Sequence, residues 1–309
     1  MKKLFISVGE CMAELQASND GLYRLGFAGD TLNTTWYMKA LTNPQDMTID
    51  YLTCVGNDQL SQKMLTFLKA NGIGTRFIRE ISDRTVGLYL ITLTGAERNF
   101  TYWRNASAAR LLADNEEGLR AALAQADVIY FSGVTLAILA PRHRKILLSI
   151  LRVLKLRGTT IAFDTNIRRK LWPSEPAMKK AMIEGYKVAT IALPTFDDDR
   201  VLFGDATPLD CAKRIASYGV QEIVVKNGSN PCVVSVSQNL FSISPDPVDG
   251  ILDTTGAGDS FNAGYLAARI ANKTPVESAK LAHSVAGRVI CGHGALLDMA
   301  KFADLIVGK

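Results

Sequence analysis

Short apolar runs alternate with longer amphipathic segments along most of the chain, and this alternation most restricts the possible folds. In chain order they are LFISV, MLTFLKAN, VIYFSG, RKILLSILRVLKLRG, TIAFD, AMIEGYKVATIALP, CAKRIASYGV and EIVVK. Because parallel strands need long crossovers and are covered on both faces, the pattern predicts a mostly parallel α/β sheet with helices on both sides. Sheets of this kind bind ligands beyond the carboxyl ends of their strands.

Residues 10–30 and 85–104 have a different texture. In the second range, TVGLYLITLT and RNFTYWRN alternate apolar and polar residues on either side of the turn-prone GAE. We interpret both ranges as an antiparallel flap that projects from the main sheet. No long linker or internal repeat interrupts the sequence, so we expect residues 1–309 to form one domain with this flap as its lid.

The composition disfavours several classes of partner. The 309 residues carry a net charge of +5 that is scattered, which suits small anionic ligands and argues against nucleic acid. The five cysteines are odd in number and widely spaced, which indicates neither a disulfide framework nor a CxxC metal site and favours a reducing cytoplasm. Gly9 and Glu10 interrupt the first apolar stretch, so we expect neither a signal peptide nor a membrane span.

A glycine-rich turn precedes the last long helical pattern, in DTTGAGDSFNAGYLAARI (253–270). The first N–H groups of a helix lack intrahelical partners and lie at the positive end of its dipole. Gly256, Ala257 and Gly258 are therefore suited to hold an anion such as phosphate against the backbone. The alternative is that Asp259 only caps the helix and the glycines form a tight turn.

Two other nucleotide-binding motifs do not fit this sequence. A dinucleotide fingerprint, G-x-G-x-x-G, would need glycine at Phe261, and no GxxxxGK[ST] P-loop occurs. A nicotinamide-dependent dehydrogenase is therefore disfavoured, and a bound nucleotide must be held without a P-loop.

The segment FAGDTLNTTWYMKAL (27–41) places Asp30 and Asn33 at the start of a predicted helix. These residue types suit an N-cap and its N3 partner. A buried carboxylate can equally accept hydrogen bonds from two neighbouring hydroxyls of a polyol. Local sequence leaves both roles open.

Aromatic and basic side chains indicate that a polyol bound here would be acidic. The strand period of two places Tyr102 and Arg104 on one face, and Tyr89 can approach from the neighbouring strand. Arg168 follows the predicted strand TIAFD. Two guanidinium groups suit the carboxylate of an aldonic acid, which an arginine can bind with two hydrogen bonds. The alternatives are lid packing for Tyr102 and Trp103 and a solvated edge charge for Arg104.

The closing segment DTTGAGDSFNAGYLA resembles the carboxyl-terminal signature of the ribokinase-like (PfkB) carbohydrate kinases, and GDTLN resembles the version found in 2-keto-3-deoxygluconate kinases. The resemblance extends over nearly the whole chain through GECMAEL, AGDTLNT, ERNFTYWRN, VTLAILAP, FDTNIRRKLW and VVKNGSN. It implies a three-layer α/β sandwich with a small β-sheet lid, and a kinase that uses ATP and Mg²⁺.

The resemblance also implies roles for individual residues. The amides of Gly256, Ala257 and Gly258 would line an anion hole for the transferring phosphoryl group, and Asp259 would deprotonate the acceptor hydroxyl. The residues that match the family's substrate site are Gly29, Asp30, Asn33, Tyr89, Tyr102, Arg104 and Arg168. Those that match its nucleotide site are Asn166, Arg168, Lys226, Gly228, Ser229, Gly256 and Gly258.

Two stretches bear on metal binding. In LPTFDDDRVLFG, Asp198 matches an acidic family position that orders magnesium through water, whereas the three aspartates could instead complement a helix dipole. Cys291 and His293, in CGHGA, have no further ligand types nearby in sequence, so we predict no transition-metal site there.

The resemblance predicts ATP-dependent phosphorylation of 2-keto-3-deoxygluconate at its 6-hydroxyl. The alternatives are a kinase of a neutral sugar such as fructose or ribose, and a non-catalytic sugar or nucleotide sensor on the same fold. Large lid aromatics such as Trp103 cannot all be buried in so thin a layer. We therefore expect a homo-oligomer formed through the lid.

Overall fold

The computed structural model describes residues 2–17, 21–94, 97–237 and 239–308. Its strands are β1 (Lys3–Val8), β2 (Met12–Ala17), β3 (Tyr23–Ala28), β4 (Met47–Val55), β5 (Gly74–Glu80), β6 (Gly87–Thr94), β7 (Glu97–Trp103), β8 (Val128–Ser132), β9 (Thr160–Asp164), β10 (Ile191–Ala192), β11 (Glu222–Val225), β12 (Cys232–Val236) and β13 (Asn239–Ile243). Its α-helices are α1 (Asp30–Leu41), α2 (Gln59–Ala70), α3 (Glu116–Leu123), α4 (Gly133–Ile138), α5 (Pro141–Leu156), α6 (Glu175–Val188), α7 (Phe196–Phe203), α8 (Pro208–Ala216), α9 (Ala257–Ile270) and α10 (Pro275–Ile290). Short 3₁₀ helices span Ala108–Leu111, Arg169–Leu171 and Met299–Leu305.

The large sheet has nine strands in the order β13-β12-β11-β10-β9-β8-β1-β4-β5. Strands from β11 through β5 in this order pair in parallel, whereas β12 and β13 are added antiparallel at one edge. The prediction of a mostly parallel sheet is confirmed.

Helices cover both faces of this sheet because its central strands are apolar on both sides. Phe5 and Ile6, neighbours in β1, are fully buried and belong to two separate hydrophobic clusters. Since successive side chains of a strand point to opposite faces, the clusters lie on opposite sides of the sheet. Residues of α1, α2, α9 and α10 pack in the cluster of Phe5, and residues of α3 to α8 pack in that of Ile6. The result is a three-layer sandwich.

The small sheet has four strands in the order β3-β2-β6-β7 and comes from the two ranges assigned to the lid. The prediction of an antiparallel flap is correct for β2–β3 and β6–β7 but wrong for β2–β6, which pair in parallel. The reason is topological: the chain returns to the large sheet for β4 and β5 before β6 leaves it, so β2 and β6 run outward in the same direction. Residues 18–20 of the first range and Gly95 and Ala96 of the GAE turn lie outside the described residues.

Helices α1 and α9 position the functional end of the molecule. They pack against each other and are buried along most of their length. Hydrogen bonds join the start of α1 to the loop after β9, and join α9 to the residue that follows β11. Both helices therefore meet the carboxyl ends of the central strands. Over the described ranges, no helix combines the length and apolar character that a membrane crossing requires.

Candidate active site

The glycine turn before α9 is held by a carboxylate. Asp253 accepts hydrogen bonds from the N–H and hydroxyl of Thr255, at 3.0 and 2.7 Å, and from the N–H of Gly294 at 2.7 Å. Gly256 then adopts a left-handed φ of 77°, and a Cβ there would lie 3.0 Å from the carbonyl oxygen of Ala295. Glycine is required at this position because both the backbone angle and the close neighbour oppose a side chain.

The start of α9 is open to an anion. Gly256 is the N-cap, and within the described ranges no side chain accepts a hydrogen bond from the first turn as a cap. The N–H of Ala257 donates to the carbonyl of Thr254 at 3.2 Å, so an anion would have to share or replace that bond. The uncapped turn is suited to bind phosphate, with Gly258 exposed at its mouth.

Asp259 does not cap its helix, so the capping alternative is wrong. It is the third residue of α9, and its carboxylate accepts a hydrogen bond from Asn33 Nδ2 at 2.7 Å. Its backbone carbonyl accepts from the hydroxyl of Thr34 at 3.2 Å. The side chain is therefore directed toward α1 rather than back to its own helix terminus.

The environment of Asp259 makes its carboxyl group an unusually strong base for an aspartate. Burial, followed by the negative charges of Asp30 and Asp164, raises its pKa from 3.8 to about 7. The hydrogen bond from Asn33 and the positive charge of Lys226 act in the opposite direction. A group that titrates near neutral pH can both accept and release a proton during turnover.

The start of α1 resolves part of the ambiguity at Asp30 and Asn33. The N-cap is Gly29, so Asp30 is the first helical residue and not the cap. Asn33 Oδ1 accepts from the Gly29 N–H at 3.4 Å, which leaves its amide group for Asp259. Asp30 accepts from Asn166 Nδ2 at 2.7 Å. Both side chains thus bridge α1 to other parts of the site.

Lys226 lies beside the glycine turn of Gly256, Ala257 and Gly258, which we call the phosphate end of the site because it is suited to bind phosphate. Its buried ammonium is 3.1 Å from Asp164 Oδ2 and donates to Asn262 Oδ1 at 2.9 Å. A Cβ at Gly258 would be 3.6 Å from Lys226 Nζ, so the positive charge adjoins the glycine turn. Gly228, in contrast, has a left-handed φ of 58° and is exposed, like its neighbour Ser229. Gly228 and Ser229 therefore belong to an exposed turn after β11, whereas Lys226 does not.

The three aspartates at the start of α7 have different surroundings. Asp197 is exposed beside Arg200, whereas Asp199 is buried and accepts a hydrogen bond from Tyr186 at 2.6 Å. Asp198 lies between these extremes: burial raises its pKa, the charge of Arg168 opposes that rise, and the charge of Asp164 adds to it. Asp198 is therefore the one of the three whose environment connects it with the phosphate end.

A nearby acidic cluster is an ion-pair network. Ligand atoms of Asp199, Asp205 and Cys211 lie within 4.8 Å of one another. Arg214 donates to Asp199 at 2.7 Å and to Asp205 at 2.7 Å. Because Arg214 pairs with both carboxylates, we assign these residues to an ion-pair network rather than to a metal site.

The lid contributes an aromatic face and a buried arginine. Tyr89 and Tyr102 are cross-strand partners with ring centroids 5.8 Å apart; Tyr89 is buried and donates to Glu14, whereas Tyr102 is half exposed. Arg104 is 8% exposed and pairs with Glu10, so the alternative of a solvated edge charge is wrong.

The predicted residues are brought together to different degrees. Direct hydrogen bonds link Asn33 to Asp259 and Asn166 to Asp30. Arg168 is exposed, and its Nη1 donates to the carbonyl of the preceding residue at 3.0 Å. The backbone of Asn166 has an unusual positive φ of 31°.

Sequence reasoning did not identify three residues that hold the site together, namely Asp164, Asp253 and Asn262. Asp164 ends the predicted strand TIAFD, and its position at a carboxyl strand end was the available signal. Asn262 donates to Asp164 Oδ2 at 2.7 Å from the turn of α9 that follows Asp259. Its partner is distant in sequence, so no local pattern could reveal the contact.

A family model for pfkB family carbohydrate kinases matches residues 2–301. The chain belongs to this family. The 2-dehydro-3-deoxygluconokinase of Haemophilus influenzae is 37% identical to it, covering 99% of this chain and 98% of the relative. The Escherichia coli K12 protein of the same name is also 37% identical, covering 96% and 98%. The predictions of a PfkB family member and of a carbohydrate kinase are confirmed.

Solved structures share the fold at lower sequence identity. A PfkB protein from Polaromonas superposes with a TM-score of 0.85 at 22% identity, covering 97% of this chain and 99% of the other. A putative ribokinase II from Escherichia coli, in complex with ATP and Mg²⁺, has a TM-score of 0.83 at 22% identity, covering 99% of both chains. The ribokinase-like three-layer fold is thereby confirmed.

Proposed function

We propose that this carbohydrate kinase transfers the terminal phosphoryl group of ATP to the 6-hydroxyl of 2-keto-3-deoxygluconate. The observation that carries the proposal is Asp259, whose pKa is raised to about 7, beside an uncapped glycine turn at the same helix end. Relatives that are 37% identical and named 2-dehydro-3-deoxygluconokinase, after the same keto acid, support this substrate.

In the proposed reaction Asp259 accepts the proton of the attacking hydroxyl. Its pKa near 7 makes it a better base than an ordinary aspartate, and the hydrogen bond from Asn33 fixes its orientation. The amides at the start of α9 stabilise negative charge on the transferring group, because they are preorganised and backed by the helix dipole. The ammonium of Lys226, next to Gly258, adds positive charge at this end.

The residues at the phosphate end fit a hard divalent cation. Asp198 offers a carboxylate, the donor type that Mg²⁺ prefers, and the nearby negative charge of Asp164, which raises the pKa of Asp198, adds to the attraction for a cation. Asp198 would hold the ion through water. An ion held there would supply positive charge that offsets the negative charge of the ATP phosphates.

The nucleotide site comprises the exposed turn after β11 and the loop after β9. Gly228 and Ser229 are open to the adenosine moiety: both are exposed, and apart from its chain neighbours no atom of the described residues lies within 4 Å of a Cβ built at Gly228. Asn166 and Arg168 reach the phosphates from the other loop. This arrangement follows the rule that open α/β sheets bind ligands beyond their carboxyl strand ends.

The acid specificity rests on two arginines. Arg104 from the lid and Arg168 from the loop after β9 provide the guanidinium groups for the substrate's carboxylate. Tyr89 and Tyr102 form the aromatic face above the sugar, and Asp30 at the start of α1 accepts hydrogen bonds from its hydroxyls. Gly29 completes this end of the site.

A coupled ADP-release assay with a panel of sugars tests the proposal. We expect kcat/KM for 2-keto-3-deoxygluconate to exceed that for fructose or ribose by about a hundredfold or more, since each guanidinium–carboxylate pair discriminates strongly against a neutral analogue. A preference for a neutral sugar would contradict the proposed substrate. No ADP release with any sugar would favour the sensor alternative.

We also propose that the chain forms a homo-oligomer through the lid. Tyr23, Leu25 and Trp103 share one face of the small sheet by strand register, and each is more than 40% exposed. A second copy would cover this apolar face. Light scattering at micromolar concentration tests this: a dimer or larger oligomer is expected, and Trp103→Glu should dissociate it. A monomeric wild-type chain would contradict the proposal.

A further inference from the structure

Glu10 lies where the connections between the lid and the large sheet converge. It follows β1 and precedes β2, and it is 1% exposed. The other three connections pass Gly29, between β3 and α1; Gly87, at the start of β6; and Arg104, directly after β7. A carboxylate is expensive to bury, so its position at this junction needs an explanation.

The carboxylate and backbone of Glu10 contact all of these connections. Arg104 Nη2 donates to Glu10 Oε2, and the hydroxyl of Ser107 donates to Glu10 Oε1. A Cβ at Gly87 would lie only 2.9 Å from Glu10 Oε1, and one at Gly29 would collide with the Glu10 carbonyl oxygen. The two glycines leave the space that Glu10 occupies.

Arg104 is held with part of its hydrogen-bonding capacity unused. Its side chain is more than nine-tenths buried, and its Nε has no acceptor among the residues that the structure describes. Its guanidinium carbon is 6.0 Å from the centroid of the Tyr102 ring, on the aromatic face of the lid. A buried guanidinium N–H without an acceptor is unfavourable, so Glu10 stabilises Arg104 in an orientation that is not fully satisfied without a ligand.

We propose that Glu10 is a positioning residue for Arg104 and thereby determines the preference for an acidic substrate. Glu10 fixes the guanidinium at the junction of lid and body, where it can bind the substrate's carboxylate when the lid lies over the sugar. This inference rests on the proposed function, because only an acidic substrate gains from a fixed arginine. Glu10 itself does not touch the substrate; it acts through Arg104.

Glu10→Gln tests the inference, since it keeps the size of the side chain and removes its charge. We expect KM for the keto acid to rise about tenfold or more, because a buried charge pair that loses one partner also loses its fixed geometry. KM for ATP should stay within about twofold, as the nucleotide site does not involve the lid arginine. Ser107→Ala, which removes one hydrogen bond to Glu10, should shift KM for the keto acid in the same direction by a smaller factor.

A matched control is available at the amino end of β11, whereas the site lies at the carboxyl ends of the strands. Glu222 is a buried carboxylate that accepts hydrogen bonds from Tyr265 at 2.6 Å and from Arg269 at 2.7 Å. Glu222→Gln breaks a comparable ion pair away from the site. We expect it to lower Tm without a selective change in KM for the keto acid.

A double substitution separates positioning from folding. Each of Glu10→Gln and Arg104→Met leaves the other buried charge of the pair without its opposite charge and should therefore lower Tm. The double variant removes both charges, so its Tm should recover toward that of the wild type, because replacing a whole buried pair costs less than breaking it. Its KM for the keto acid should stay as high as that of Arg104→Met alone, since the two residues act as one unit.

Three results would overturn the inference. The first is a Glu10→Gln variant with lowered Tm but a KM for the keto acid within about twofold of the wild type, which would make Glu10 purely structural. The second is additive effects on KM in the double variant. If Glu10→Gln does not fold, an unchanged KM for Ser107→Ala is the third. These three results apply to a wild-type enzyme that phosphorylates the keto acid. A wild-type preference for neutral sugars would refute the proposed function instead, and this inference would then lose its basis.

Discussion

Replacing Asp259 with asparagine should abolish turnover and make the protein more stable. The substitution keeps the shape of the side chain and an oxygen that can accept the hydrogen bond from Asn33. It removes the proposed base, and a general base typically contributes a factor of about 10² to 10⁴ in rate. It also removes a charge that the fold does not accommodate well, because burial and the charges of Asp30 and Asp164 oppose ionisation.

The size of the stabilisation follows from the pKa. Asp259 has a pKa of about 7 in the fold against 3.8 as its ordinary value, so the native state holds its proton more tightly than the unfolded chain. Stability is therefore lost as the pH rises from about 4 through 7, by roughly 4 kcal/mol at about 1.4 kcal/mol per pH unit. Because the residue is only half-buried, screening reduces this to about 2 kcal/mol, or roughly 3 °C in Tm for a chain of this length.

The assay is thermal unfolding of both proteins between pH 4 and pH 8, combined with ADP release at saturating substrate. We expect Asp259→Asn to have the higher Tm at pH 8, with the difference shrinking toward zero as the pH falls to 4. A variant that is less stable than the wild type at pH 8 would refute the electrostatic reasoning. Turnover near that of the wild type would refute the assignment of the base.

Three further predictions concern the same site. The acid limb of the pH profile of kcat/KM should lie near 7, with activity lost below it. Asp30→Asn should move that limb to lower pH, because the negative charge of Asp30 raises the pKa of Asp259. An unmoved limb would contradict this coupling. Arg104→Ala should raise KM for the keto acid by about tenfold or more while KM for ATP changes little. Arg168→Ala, which also removes a group proposed to reach the ATP phosphates, should raise both constants, but KM for the keto acid far more than KM for ATP. Equal effects on both constants in these variants would contradict the carboxylate assignment. Gly256→Ala should reduce kcat by about tenfold or more, because its positive φ and crowded Cβ position force the turn to shift; a rate near wild type would show that the turn tolerates the change.

The fold was accessible from sequence because its signals are local and repeated. Runs such as LFISV and TIAFD are mostly apolar without strict alternation, which is the pattern of strands covered on both faces, and they form β1 and β9. The glycine turn was accessible for a similar reason, since a helix that begins with Gly256 and Gly258 departs from ordinary capping. In both cases the residues that carry the signal are adjacent in the chain.

The remainder depends on contacts between residues that are distant in sequence. The parallel pairing of β2 with β6 follows from the chain's return to the large sheet between them, which no pattern within either strand indicates. The ion pair of Arg104 with Glu10 spans ninety-four positions, so local reasoning could only offer an exposed charge or a free ligand for Arg104. The pKa of Asp259 depends likewise on charges that the fold brings from other elements.

The most direct test of the account is a crystal structure with a non-hydrolysable ATP analogue and the keto acid bound together. We expect the terminal phosphate to contact the amides at the start of α9, near Gly256 and Gly258. We also expect the 6-hydroxyl of the acid to lie within hydrogen-bonding distance of the Asp259 carboxylate. A terminal phosphate bound elsewhere, with Asp259 still bonded only to Asn33, would contradict it.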